Sequence, residues 1–132
     1  WNPGRVLAWC AYSAAWWDEP SANRNPPPGL IVCGDEDPSR YGASLIFFKQ
    51  GRAAGKPWLW VSLQGTGHHT SAKLDAFVRG YFSAILSPSN GAWVDLDRKE
   101  SISAAQAGEH PTLSGWLPES SLFEDWKAIH AP

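Results

Sequence analysis

The sequence predicts an α/β fold, a mostly parallel sheet with flanking helices. Two runs carry that reading. "LIVC" (30–33) and "PWLWVSL" (57–63) are apolar at nearly every position, as strands covered on both faces are. A helical pattern lies between them and a clearer one follows the second. Strand, helix, strand, helix at this spacing describes βαβ units.

Taken in order, "RVLAWC" (5–10) reads as a first buried strand. "AYSAAWWDEP" is a short helix or a turn. Residues 21–29 form a loop, because Pro26, Pro27 and Pro28 can feed neither a helix nor a sheet ladder. "LIVC" is the second strand, and "GDEDPSRYG" turns away from it. Residues 38–53 read as a helix with Pro38 in its first turn, Leu45, Phe48 and Ala53 on one face, and Gly55 stopping it. The third strand follows at 57–63, rich in aromatic and β-branched residues. Leu74, Phe77, Val78, Tyr81, Phe82 and Ile85 then mark an amphipathic helix. Thr70 or Ser71 caps it, and Pro88 lies past its end.

From residue 89 the pattern weakens. "AWVDLD" reads as a short strand, and residues 101–115 are polar and small. "LPESSLFEDWKAIH" reads as a last helix starting at Pro118, with Leu122, Phe123, Trp126 and Ile129 inward. The expected organisation is one domain or part of one over 1–132. Its core spans 5–88, with 89–132 an extension packed upon it.

Composition narrows the function classes. The 132 residues are 43% hydrophobic and 18% charged, with a net charge of −2, so a broad nucleic-acid footprint is not expected. No apolar run approaches the length of a membrane span. Nine tryptophans suggest a Trp-rich core or cleft. Cys10 and Cys33 each end an apolar run and read as two buried thiols, with a disulfide the demanding alternative. The chain has no methionine and opens at Trp1, which fits a processed product or a piece of a longer protein.

In parallel sheets, ligands sit beyond the carboxyl ends of the strands. Here those ends open into "GDEDPS" and "QGTGHHTS". The first offers Asp35, Glu36 and Asp37, the second His68 and His69. A carboxylate that orients an imidazole, which then serves as general base, is two-thirds of a catalytic triad. The plainer alternative is a solvated acidic turn and a pair of loop histidines, each beside a helix N-terminus. Asp37 with His68 and His69 also offers metal ligands, but adjacent histidines seldom reach one ion and no metal is expected. "GTGHHTS" lacks the Gly-Lys-Ser/Thr ending of a phosphate loop, and no cofactor is expected.

Over roughly residues 5–88 the chain resembles the C-terminal half of an α/β-hydrolase. The likeness rests on "LIVCGDED", a helix, "GKPWLWVSLQGTGHH" and "LDAFVRGYFSAIL". It implies Asp37 as the triad acid and His68 as the base, with Asp35 and His69 the runners-up. It also implies hydrolysis of a small-molecule ester or similar acyl bond. The family's Gly-x-Ser-x-Gly elbow is absent, and "AYSAA" is the nearest pattern, which makes Ser13 a candidate nucleophile. The segment between Ser13 and Asp37 is short and rich in proline, so the favoured source lies upstream of Trp1. An N-terminal segment or a second chain would then complete the sheet, whose edge is otherwise unpaired. Trp16 and Trp17 are candidate substrate-binding residues. The competing reading is a non-catalytic binding module whose cleft is lined by Trp16, Trp17, Trp58 and Trp60.

Overall fold

Pro26, Pro27 and Pro28 carry no N–H and cannot extend a ladder. The central strand, β2 (Gly29–Gly34), therefore starts at the residue after them. The first strand, β1 (Trp9–Tyr12), pairs with it in parallel, Trp9 opposite Gly29, and the Trp9 N–H donates to Pro28 O at 3.1 Å. The strand expected at 5–10 is thus shifted. Positions before Trp9 would face the prolines, so Leu7 stays exposed and Pro3–Arg5 forms a 3-10 turn. "AYSAAWWDEP" supplies the end of β1 and then bends without a helix. The computed structural model describes residues 3–20, 22, 25–87 and 89–130. Trp1, Pro88 and parts of the proline-rich loop lie outside the described residues.

The third strand, β3 (Trp58–Leu63), pairs in parallel on the other side of β2, giving the order β1-β2-β3. All six residues of β2 are buried, as its unbroken apolar pattern requires. Helix α1 (Tyr41–Ala53) crosses from β2 to β3, and α2 (Ala72–Ile85) follows β3. Helix α1 starts three residues after Pro38, because Asp37 O first accepts the N–H groups of Arg40 and Tyr41 in a turn. Its buried face is Ser44, Phe48, Gly51 and Arg52, while Ala53 is exposed, contrary to expectation. Gly51 is required there: a Cβ would lie 1.9 Å from the Trp58 ring. Helix α2 buries Leu74, Phe77, Tyr81 and Ala84, and the Ser71 hydroxyl caps it by accepting the Leu74 N–H at 3.1 Å.

The sheet is not alone. A second, antiparallel sheet, which the sequence reading missed, is built from β4 (Ala92–Asp95), β5 (Glu100–Ile102) and β6 (Ser114–Leu117) in the order β5-β4-β6. The short helix α3 (Ala104–Glu109) joins β5 to β6, and α4 (Phe123–Ile129) closes the described chain. The fold is therefore mixed α/β, with four α-helices and two three-stranded sheets among the described residues. Pro118 precedes a 3-10 turn, Ser120–Leu122, so the last helix is shorter than expected. None of these helices is long and apolar enough to cross a membrane. Cys10 and Cys33 are free thiols.

Arg52 ties the two halves together. It is 3% exposed, and its guanidinium donates to Ser114 O and Ser114 Oγ, both at 3.0 Å, and to Lys56 O. It also lies over the Trp93 ring, 4.5 Å from the centroid. Burial pulls its pKa down to about 10, so it still holds its charge at neutral pH. The Arg52→Met substitution keeps the aliphatic volume and orphans these acceptors. Each orphaned buried group costs about 1–3 kcal/mol, so urea denaturation should show a loss of roughly 2–4 kcal/mol. A loss below about 0.5 kcal/mol, the level of a surface change, would mean that the tie is unimportant.

His130 gives a second, pH-dependent prediction. Burial, and then the Lys99 ammonium, lower its pKa from 6.5 to about 4, against an opposing effect of the Ser62 main chain. The folded state therefore binds fewer protons than the unfolded state between those two values. Stability is full above pH 6.5 and falls as pH drops toward 4, by about 3 kcal/mol at 1.4 kcal/mol per unit. The difference in unfolding free energy between wild type and His130→Leu should change by that amount between pH 7.5 and pH 4. A difference that stays constant with pH would contradict this assignment.

Candidate active site

Strands β2 and β3 end level, Gly34 opposite Leu63, so the loops beyond them leave the sheet side by side. Gly34 lets them touch. A Cβ on it would lie 2.0 Å from Thr66 O and 2.3 Å from Gly67 O, distances no side chain tolerates. Three hydrogen bonds zip the loops together: Asp35 N–H to Leu63 O at 3.1 Å, Glu36 N–H to Thr66 O at 3.0 Å, and Thr66 N–H to Asp35 Oδ1 at 3.3 Å. Gly65 takes the left-handed backbone (φ 60°) that turns the chain sharply after β3.

Within the first loop, Asp37 N–H donates to Gly34 O at 3.2 Å, and this turn carries the Asp37 side chain inward to 4% exposure. Its Oδ2 lies 3.0 Å from His68 Nδ1. Its Oδ1 accepts from the Ser39 hydroxyl at 3.1 Å and from the Arg40 guanidinium at 3.2 Å. The His68 hydrogen bond, above all, lowers the pKa of the Asp37 carboxyl. Burial works against that, and Arg40 and Ser39 add to the lowering. The carboxylate is therefore ionised at neutral pH and can only accept. His68 Nδ1 must donate, and in the neutral ring this leaves the lone pair on Nε2. The imidazole is 55% exposed and open to a reacting group.

The other candidate residues lie around this pair. Asp35 is exposed and spends an oxygen on the Thr66 N–H, within the loop contact. His69 is exposed beside His68. Ser13 follows β1 with a left-handed backbone (φ 45°), unusual for a serine, and is 4% exposed. Its Oγ lies 3.6 Å from Cys33 Sγ, and it makes no hydrogen bond to His68 among the described residues. Trp16 is 91% exposed, while Trp17 stacks on Phe47 with ring centroids 4.1 Å apart. Trp58 and Trp60 do not line a cleft. They face α1 in the core, Trp58 stacked on Phe47 and Trp60 edge-on to Tyr41.

Three partners escaped the sequence reading. Ser39 and Arg40 grip the acid from two and three residues downstream, a spacing visible in "DPSR" once Asp37 is chosen. Tyr12, from the end of β1, places its ring 6.0 Å from the His68 ring, and no local pattern announces that contact. A cavity of about 370 Å³ adjoins Tyr12 between β1 and α2, with Cys10, Val32, Leu74 and Val78 as its apolar wall. Among the described residues, no three His, Cys, Asp or Glu side chains gather as a metal site.

The Gly34→Ala substitution forces a methyl group against the Thr66 and Gly67 carbonyls. The loops must part, and the Asp37–His68 hydrogen bond should be lost with them. A crystal structure of that variant in which the pair still stands near 3 Å would show that the glycine is dispensable. Comparison with family models, with curated proteins and with solved structures finds no match to this chain.

Proposed function

We propose that the chain supplies the acid and the base of a serine-type hydrolase that cleaves an ester or a similar acyl bond. One observation carries the reading. A buried, ionised carboxylate bonds Nδ1 of an exposed imidazole, and both project beyond the carboxyl ends of adjacent parallel strands. The order also fits the C-terminal half of an α/β-hydrolase: acid after one strand, histidine after the next, then a helix.

In this mechanism His68 Nε2 takes the proton of a nucleophilic hydroxyl as its oxygen attacks the acyl carbon. The bond to the leaving alcohol breaks, and the same proton passes from Nε2 to that alcohol. Water repeats the cycle on the acyl-enzyme. Asp37 holds the ring and stabilises the imidazolium. Ser13 is one source of the hydroxyl. Its strained backbone after a strand and its small neighbours favour it, while its burial against Cys33 does not. The other source is a further segment or a second chain along the edge of β1 that pairs with no strand among the described residues, which would also complete the sheet. The cavity beside Tyr12 is of a size to take the apolar part of such a substrate.

A second reading, a non-catalytic binding module, is favoured by the engagement of Ser13 with Cys33 and by the exposed face of Trp16. Labelling with a fluorophosphonate probe separates the two. The catalytic reading expects labelling of the full-length protein, lost in His68→Ala, and turnover of a test ester reduced roughly 10²–10⁴-fold in Asp37→Asn. Ser13→Ala then identifies the nucleophile. Labelling that persists undiminished in His68→Ala rules out His68 as the base. No labelling even of the full-length protein, with tryptophan fluorescence changed by a sugar or peptide, favours the binding module.

A further inference from the structure

We infer that Tyr12 is a positioning residue for His68, a wall against which the imidazole rests while Asp37 holds its Nδ1. The inference rests on the reading of His68 as the base, and it names a part of the site that no local motif marks. A single hydrogen bond to Asp37 Oδ2 leaves the ring free to tilt about the line of that bond. With 55% of the side chain exposed, little else restrains it on the solvent side. The Tyr12 ring lies 6.0 Å from the imidazole centroid at an interplanar angle of 40°, within the range of a favourable ring pair. Its place is well determined, because Tyr12 is the last residue of β1 and pairs with buried Val32. The following residue, Ser13, donates its N–H to Val32 O at 2.8 Å and locks the strand end.

The ring, and not the hydroxyl, does this. Tyr12 Oη is shielded from water and makes no hydrogen bond of good geometry among the described residues, although the Ser13 side chain and the His69 main chain lie close enough to act on it. Burial raises its pKa. The Ser13 side chain opposes that rise, the Cys33 and Asp37 charges reinforce it, and the His69 main chain opposes it. A phenol so placed stays neutral at neutral pH and brings no charge to the pair. An aromatic ring without the hydroxyl should therefore serve as well.

The test reads the exchange of the His68 imidazole Nδ1–H with water by ¹H–¹⁵N NMR, with Asp37→Asn as the control that removes its acceptor. In Tyr12→Leu the proton should exchange about two- to tenfold faster, the range that a lost ring pair allows. In Tyr12→Phe it should exchange at the wild-type rate. Melting temperatures of both variants are recorded, and backbone amide exchange in α2 reports any general loosening. Faster exchange in both variants, in neither, or in Tyr12→Leu only together with α2 would overturn the inference. The measurement needs no substrate, so a protein that no fluorophosphonate labels can still show this pattern. Equally, failure here leaves the labelling result standing.

Discussion

The candidate site exists because one strand end has no side chain. Gly34 allows the acidic bend to lie directly against the carbonyls of Thr66 and Gly67, and the meeting of Asp37 with His68 depends on that approach. The hydrogen bonds across the two loops, two of them between main chains, set their separation to within a hydrogen-bond length. The turn at residues 34–37 then aims Asp37 inward, and the loop after β3 brings His68 over it. The precision of the pair is thus backbone precision, inherited from two level parallel strands.

Charge has a similar logic. Asp37 is nearly enclosed, and an enclosed carboxylate without partners would sooner take up a proton than stay ionised. Three donors prevent that: His68, Ser39 and Arg40. Arg40 is about one-third exposed, so its contribution is screened by solvent, and the imidazole bond dominates. The result is a permanent acceptor that dictates the tautomer of His68. Remote from this edge, the buried guanidinium of Arg52 clasps the antiparallel sheet to α1.

Much of this was legible in the sequence. The unbroken apolar run of 30–33, the aromatic strand at 57–63 and the 3.6-residue period of α2 each have a single physical meaning, and the structure agrees with all three. The juxtaposition of Asp37 and His68 was legible because strand ends in a parallel sheet share one edge. Other features were not. The first strand moved because proline N–H chemistry in its partner, not its own hydrophobicity, decides where pairing begins. Strand β5 has three mostly exposed residues and gives no periodic signal. Its turn was marked only by the Asp95 carboxylate that accepts the N–H groups of Asp97 and Arg98, and α3 only by the capping box of Ser103 and Gln106. Trp58 and Trp60 looked like cleft residues because composition cannot tell a core tryptophan from a binding one. Their neighbours Phe47, Gly51 and Tyr41 decide it, from a helix elsewhere in the chain.

The central claim is a statement about one proton: in the neutral state, His68 carries it on Nδ1, toward Asp37, and keeps Nε2 free. Long-range ¹H–¹⁵N correlation of the His68 ring above pH 8 reads this directly. The pattern should be that of the Nδ1–H tautomer, although free histidine prefers the other, and it should revert in Asp37→Asn. A His68 ring protonated on Nε2, or one averaging between tautomers like an unrestrained loop histidine, would contradict it.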